Sequence, residues 1–263
     1  MKRVFLTGAS SGIGLAIAKT LVARGHEVWG TSRDIRRIPV MSHLHAIALD
    51  LLDRGSVIES FNAALQQAGR FDVLINNAGS GHFGPAESLS HEELANYFQI
   101  LVFAQIELMR VALASMRTQE QGLIINVTSL ASRLPVPFMA AYNAGKAALA
   151  SFTMTMQLEL QGHDIHLVDL QPADISTNFN DAVTRTAMGD ARVTKTWQTV
   201  DRNMKAAPKP QRVAAQVLKL IEHKNPPPRI TVGDFFQSTV APMIFRLLPQ
   251  PVRIWGLKKY YGM

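Results

Sequence analysis

Residues 2–25 read KRVFLTGASSGIGLAIAKTLVARG, Lys2 to Gly25, and this stretch decides the fold. KRVFLT, β-branched and aromatic, has the composition of a short buried strand. It ends in a glycine-rich turn, Thr7-Gly8-Ala9-Ser10-Ser11-Gly12-Ile13-Gly14, and LAIAKTLVARG follows with apolar residues at helical spacing until Gly25. Strand, glycine turn and helix in succession are the context that a dinucleotide site requires. Gly8 permits the tight turn, Gly12 lets the backbone approach a pyrophosphate, and Gly14 lets helix and strand pack closely. The free N–H groups around Ser10, Ser11 and Ile13 then face the anion.

Working outward, the same alternation continues along the chain. EVWGTSR, LHAIALD, FDVLI, LIINVTS, DIHLVDL and RITVG read as further strands. Between them lie helical stretches at about 56–68, 91–117, 139–160 and in QRVAAQVLKLIEH. Strands alternating with helices through right-handed crossovers predict an α/β fold. The expectation is a single doubly wound Rossmann domain over residues 1–263, with a seven-stranded parallel sheet in the order 3-2-1-4-5-6-7. No linker-like stretch or internal repeat divides it.

Composition narrows the function classes. Cysteine is absent, which excludes disulfides, thiol nucleophiles and cysteine-ligated metals and agrees with a cytoplasmic protein. The apolar run in MKRVFLTGAS is too short for a signal peptide and reads as the first strand. No run approaches the ~20 apolar residues of a membrane span. The net charge of +7 contains no run of basic residues and no basic ribbon interleaved with aromatics, so nucleic acid is not an expected partner. His43 and His45 form an HxH pair without further nearby ligands and read as surface residues, leaving no expected metal site.

The second strand ends in Ser32-Arg33, where many NAD enzymes place an acid for the adenosine ribose. An arginine there can pair with a 2′-phosphate through charge-assisted hydrogen bonds, favouring NADP(H) over NAD(H). Asp34 falls one step beyond the usual acid, and Arg36 and Arg37 lie nearby; the competing reading is an ordinary charged loop.

The catalytic candidates lie further on, in AAYNAGKAAL. On a helix, Tyr142 and Lys146 stand one turn apart on the same face, with Ser129 on the preceding segment able to approach them. A phenol titrates near ~10, and a neighbouring ammonium lowers that value towards the range useful for proton transfer. Tyr and Lys also meet at this spacing by chance in many helices, so the pair gains meaning from the glycine turn upstream.

Three signatures in order, TGASSGIG at 7–14, NNAG at 76–79 and Ser129 with YNAGK at 142–146, resemble the short-chain dehydrogenase/reductase family. The resemblance covers nearly the whole chain, and the first 180 residues carry the signatures. It implies that Tyr142 is the general acid/base and that Ser129 hydrogen-bonds the substrate oxygen. Lys146 lowers the tyrosine pKa and grips the nicotinamide ribose. It also implies that Asp50 and Leu51 contact the adenine, that Asn76 braces the sheet, and that the backbone of Asn77, Ala78 and Gly79 runs along the cofactor. Pro172, Ile175 and Thr177 lie beside the nicotinamide or pyrophosphate. A homodimer or homotetramer through the long helices at 91–117 and 139–160 is implied as well.

Two departures stand against that pattern. Leu101 occupies the place where the family carries an asparagine whose backbone supports a water chain to the lysine, which opens a second reading, a catalytically impaired sensor or scaffold. Ala173 replaces the usual glycine after Pro172, narrowing the backbone angles available there. Residues 178–208 read either as an apolar substrate cover or as ordinary helices with a buried side. Residues 240–263 are basic, aromatic and broken by Pro249 and Pro251, a tail suited to an anionic membrane surface, to its own domain or to a partner. The ending LLPQPVRIW…YYG resembles the hydroxysteroid- and retinol-dehydrogenase-like branch. The expected reaction is NADP(H)-dependent interconversion of a carbonyl and an alcohol on an apolar small molecule, steroid-, retinoid- or lipid-like.

Overall fold

A computed structural model describes all 263 residues. In the first strand, β1 (Arg3–Leu6), Val4 and Leu6 enter one apolar cluster and Phe5 enters another, all fully buried. Side chains alternate across a sheet, so a strand apolar at every position must be covered on both faces. Helix α1 (Gly12–Ala23) packs on the Val4 side. The other side holds an aromatic group in which Phe5 meets Phe61 and Phe71 edge-on at 4.9 and 5.4 Å between ring centres. Such pairs add about 0.5–1.5 kcal/mol beyond their buried area.

The main sheet contains β1, β2 (Glu27–Ser32), β3 (Leu44–Ala48), β4 (Val73–Asn76), β6 (Gln121–Val127), β7 (Asp164–Pro172) and β9 (Arg229–Val232). Its order, β3-β2-β1-β4-β6-β7-β9, is all parallel and reproduces the expected seven-stranded topology. The two short strands left over, β5 (His82–Phe83) and β8 (Thr184–Arg185), form a separate ribbon above it. Helices α1 and α8 (Gln211–Glu222) cover one face. The other face is covered by α2 (Arg54–Ala68), α4 (Ala104–Thr118) and α5 (Ala140–Glu159). Chain order reverses between β1 and β4, so a crevice opens beyond the carboxyl ends of those strands.

Two helices differ from their expected outline. Helix α2 begins two residues early because Asp53 caps it, its carboxylate accepting from the N–H groups of Gly55 and Ser56. The long helix is interrupted: α3 (His91–Phe98) runs into a widened π turn at Gln99–Phe103 before α4 resumes. By length and composition His91–Thr118 is apolar enough to cross a membrane, but Leu108, Met109, Ala112 and Met116 are buried in the sandwich core. The cover is a short helix, α6 (Phe179–Ala182), then β8 and α7 (Ala191–Ala206). Val193, Trp197 and Val200 are buried in a third cluster with Phe83, Met139 and Tyr261, so much of the cover is ordinary core. Pro249 divides the tail as expected, into α9 (Ala241–Leu247) and α10 (Gln250–Tyr261).

Candidate active site

A cavity of about 970 Å³ lies in this crevice, and every site residue nominated from the sequence lines it. Gly8 and Gly12 have φ of +74° and +53°, a region that side chains with a Cβ avoid. A Cβ on Gly14 would collide with the Gly8 carbonyl oxygen and lie 2.6 Å from Asn77 Nδ2. The turn and the NNAG segment are therefore packed together. Thr7 joins them: its hydroxyl accepts from the N–H groups of Asn77 and Ala78 at 2.9 Å each, and the Asn77 amide donates back to the Thr7 carbonyl at 2.9 Å. The role of Thr7 was not nominated from sequence; its place before Gly8 is the only signal.

At the far end of β2, Asp34 is held by Arg36, whose Nε and Nη2 donate to the carboxylate at 2.9 and 3.0 Å. That hydrogen bonding lowers the Asp34 pKa. Arg33 and Arg37 make no ion pair, and both line the cavity beside Ser32. Asp50 and Leu51 form the adjacent wall, where Asp50 Oδ1 accepts from Leu52 N–H at 3.0 Å. His45 stacks on Trp29 at 4.5 Å between ring centres, and no cluster suited to a metal exists.

Tyr142 and Lys146 project from the first turns of α5, and Ser129 follows β6. Lys146 is almost wholly buried, and its ammonium donates to the Val127 carbonyl at 2.7 Å. Burial lowers its pKa to about 8, against the opposing pull of Asp169. The Tyr142 phenol moves the other way. Burial and the charge of Asp174 raise its pKa, while a hydrogen bond with Ser129 works in the opposite direction. Lys146 is not among the causes of that shift: its ammonium is directed at Val127 and stands 5.9 Å from the phenol ring centre. A buried phenol that resists ionisation holds its proton at neutral pH.

Leu101, in the π turn, is fully buried and packs where a Cβ on Gly145 would meet it at 3.0 Å. A polar side chain arrives one turn later instead. Gln105 Nε2 donates to the Ala78 carbonyl at 3.0 Å and to the Ile100 carbonyl at 3.1 Å. Gln105 thereby ties the interrupted helix to the NNAG segment. Sequence reading missed it, although a lone amide on the buried face of an apolar helix was the available sign. Beneath it, Asn76 Nδ2 donates to Asn126 Oδ1 at 2.9 Å and to the Gln105 carbonyl at 3.2 Å, bracing β4 against β6 and α4. The row continues in register to Asp169 and Arg229, which pair at 2.7 Å.

Ala173 adopts no positive φ, and its side chain lies against Gly233, where an added Cβ would come within 2.6 Å. The alanine is thus accommodated by a glycine on the facing segment. Ile175 is buried, and Thr177 stands beside Gly12, 3.6 Å from where a Cβ there would lie. Past Pro172 the cavity becomes mostly apolar, lined by Phe179 and Met204 from the cover and by Phe236, Phe245, Leu248 and Leu257 from the tail. Asp174 is its one acid on this side, hydrogen-bonded to Gln237.

The sequence profile of the short chain dehydrogenase family matches residues 2–187. The chain belongs to that family. This short-chain dehydrogenase is 27% identical over 266 aligned positions to 3-ketodihydrosphingosine reductase of Bacteroides thetaiotaomicron, covering 99% of this chain and 98% of that one. It superimposes on a short-chain dehydrogenase from Streptomyces avermitilis with a TM-score of 0.83 and 26% identity, covering 99% of this chain and 96% of the other. A metagenomic short-chain oxidoreductase in complex with NADP matches with a TM-score of 0.72 and 26% identity, over 88% and 96%. The short-chain dehydrogenase is an oxidoreductase that uses a nicotinamide dinucleotide, and its glycine turn fits one: two left-handed glycines, and a third with no space for a side chain.

Proposed function

We propose that this short-chain dehydrogenase is an NADP(H)-dependent reductase of a ketone on an apolar, lipid-like molecule. The observation that carries the reading is the change in the cavity, from backbone and small residues at the glycine turn to an apolar chamber beyond Pro172. 3-Ketodihydrosphingosine, the substrate in the relative's name, is a ketone with a long alkyl tail and a polar head. Its tail matches the chemistry of such a chamber.

The nicotinamide supplies hydride. The chain's residues manage the oxygen that receives it. Tyr142, kept protonated by burial and by Asp174, donates its proton to that oxygen. The Ser129 hydroxyl hydrogen-bonds the same oxygen and stabilises its developing negative charge. Lys146 places a cation behind the tyrosine, at the ribose end of the site.

Arg33 and Arg37 support the phosphate-bearing cofactor, because Asp34, the nearest acid, is engaged by Arg36. Fluorescence titration is expected to give tighter binding of NADPH than NADH, and about a 10-fold loss for NADPH in Arg33→Ala, the weight of one charge-assisted contact. Equal affinities, unchanged by the substitution, would overturn the cofactor choice. Turnover confined to small polar carbonyls would overturn the substrate class.

The tail supports a peripheral membrane contact. Met243, Leu247 and Trp255 are 63%, 79% and 62% exposed, on the helices whose other residues wall the chamber, and Arg246, Lys258 and Lys259 accompany them. Wild type is expected to sediment with anionic vesicles, and Leu247→Ser/Trp255→Ser to remain in the supernatant. Pairing of two copies through the long helices at 91–117 and 139–160 has support in exposed Phe103, Met154 and Leu158, and a monomer mass in sedimentation equilibrium would exclude it.

A further inference from the structure

Within the apolar chamber one carboxylate lacks a counter-charge. The two buried acids of the protein each have an arginine: Asp169 pairs with Arg229 at 2.7 Å and Asp72 with Arg70 at 3.4 Å. Asp174 lines the chamber without any cation in contact. Arg253 shares the cavity but is committed elsewhere: it donates to the carbonyls of Leu248 at 2.7 Å and Arg246 at 3.0 Å and stacks over Phe245. Asp174 is half-buried, and a carboxylate partly withdrawn from water without a partner is costly; burial does raise the Asp174 pKa.

Its orientation is fixed. Gln237 Nε2 donates to Asp174 Oδ2 at 2.6 Å and to the Tyr260 hydroxyl at 2.9 Å, while Gln237 Oε1 accepts from the Asp174 N–H at 3.3 Å. The Gln237 N–H is itself held by Asp234 at 2.8 Å. With one carboxylate oxygen clamped in this way, Oδ1 takes no donor from the protein, and Tyr260 stands beside it with its hydroxyl proton uncommitted. Asp174 is also close to the chemistry. It lies two residues past Pro172, whose carbonyl accepts from the Ser129 hydroxyl at 3.5 Å.

We infer that Asp174 recognises a protonated amine carried by the substrate beside the carbonyl that is reduced, and so selects a long-chain amino ketone, the class to which the relative's 3-ketodihydrosphingosine belongs, over a neutral lipid ketone. The inference rests on the ketone-reductase reading for the identity of the reacting group, but the amine site stands on its own geometry. An ammonium supplies the missing counter-charge, donates to Oδ1 and can also approach the Tyr260 oxygen. Its alkyl tail enters the chamber lined by Phe236, Phe245, Leu248 and Leu257. A neutral lipid ketone would leave the clamped carboxylate unpaired and is selected against by the same contact.

The test separates binding from turnover. Affinities of dodecylamine and 1-dodecanol, both below micelle formation, are measured at pH 7 for wild type, Asp174→Asn and Asp174→Ser. In parallel, kcat/KM is measured with NADPH for a long-chain α-amino ketone and its neutral N-acetyl derivative. Wild type is expected to bind the amine at least about 10-fold more tightly than the alcohol and to prefer the free amino ketone by a similar factor. Both ratios should fall towards one in whichever Asp174 variant folds. Equal binding of amine and alcohol by wild type would overturn the inference, as would an amine preference that survives both substitutions. Amine selectivity that depends on Asp174, with no reduction of either ketone, would keep the site and reject the reductase reading. Reduction of both ketones alike, without amine selectivity, would do the reverse.

Discussion

The two ends of the cavity are built by different means. At the glycine turn the walls are backbone: Gly8 and Gly12 in left-handed conformations, Gly14 pressed against the Gly8 carbonyl, and N–H groups at the head of α1. Beyond Pro172 the walls are side chains from the cover and the tail, converging from segments well separated along the chain. A backbone cradle is specific for what every dinucleotide shares, its pyrophosphate. Side-chain walls are specific for one substrate. The difference explains how a widely shared cofactor site can sit beside a private chamber in one domain.

The largest effect should come where the two ends meet. Tyr142→Phe is expected to lower kcat by roughly 10²- to 10⁴-fold, the usual weight of a positioned proton donor, with cofactor affinity nearly unchanged in fluorescence titration. If both parameters fell together, the residue would belong to the cofactor end and the division would be misplaced.

Next come two identical substitutions with opposite expected signs. Gly14→Ala forces a Cβ into the Gly8 carbonyl and the Asn77 amide, and should destabilise by about 1–3 kcal/mol while abolishing tight cofactor binding. Gly256→Ala, in α10, meets nothing within 4 Å and should stabilise by up to ~1 kcal/mol through helix propensity. Thermal melts of both variants check the contrast; a shared sign would erase it.

The smallest effect is on pH dependence. The Lys146 pKa is lowered from 10.5 to about 8 by burial. Below pH 8 the amine is charged in both folded and unfolded chains, and the full desolvation cost is present, about 3 kcal/mol by the size of the shift. Between pH 8 and 10.5 the unfolded chain binds more protons, so this group's contribution to stability rises with pH across that window. Cofactor grip should change the other way, weakening several-fold from pH 7 to pH 9 as the cation is lost. Denaturant titrations and NADPH affinities of wild type and Lys146→Met, taken over that range, test both slopes.

The cofactor end was largely legible in the sequence because backbone constraints are local. A glycine needed for a positive φ at position 8 or 12, or for close approach at 14, must be a glycine, and its neighbours in sequence are its neighbours in space. The strand order followed from alternation, since Val4 and Phe5 declare both faces buried. What could not be read was set by tertiary placement. Gln105 serves the NNAG segment from one turn beyond Leu101, and only the π turn brings it there. Gln237 and Tyr260 orient Asp174 from 63 and 86 positions further along the chain. The contact of Lys146 with Val127 was not legible either, because the i, i+4 pairing fixes which face Lys146 shares with Tyr142, not where its ammonium points.

Thr7 and Asn77 hold each other through reciprocal hydrogen bonds, and the Asn77 amide lies where a Cβ on Gly14 would have to go. The two loops therefore form one thermodynamic unit, and substitutions in them will not add. Repairing or redesigning one means carrying the other with it. For anyone grafting this nucleotide cradle onto another parallel sheet, the transferable piece is the pair of neighbouring strands with both loops, never the glycine turn by itself.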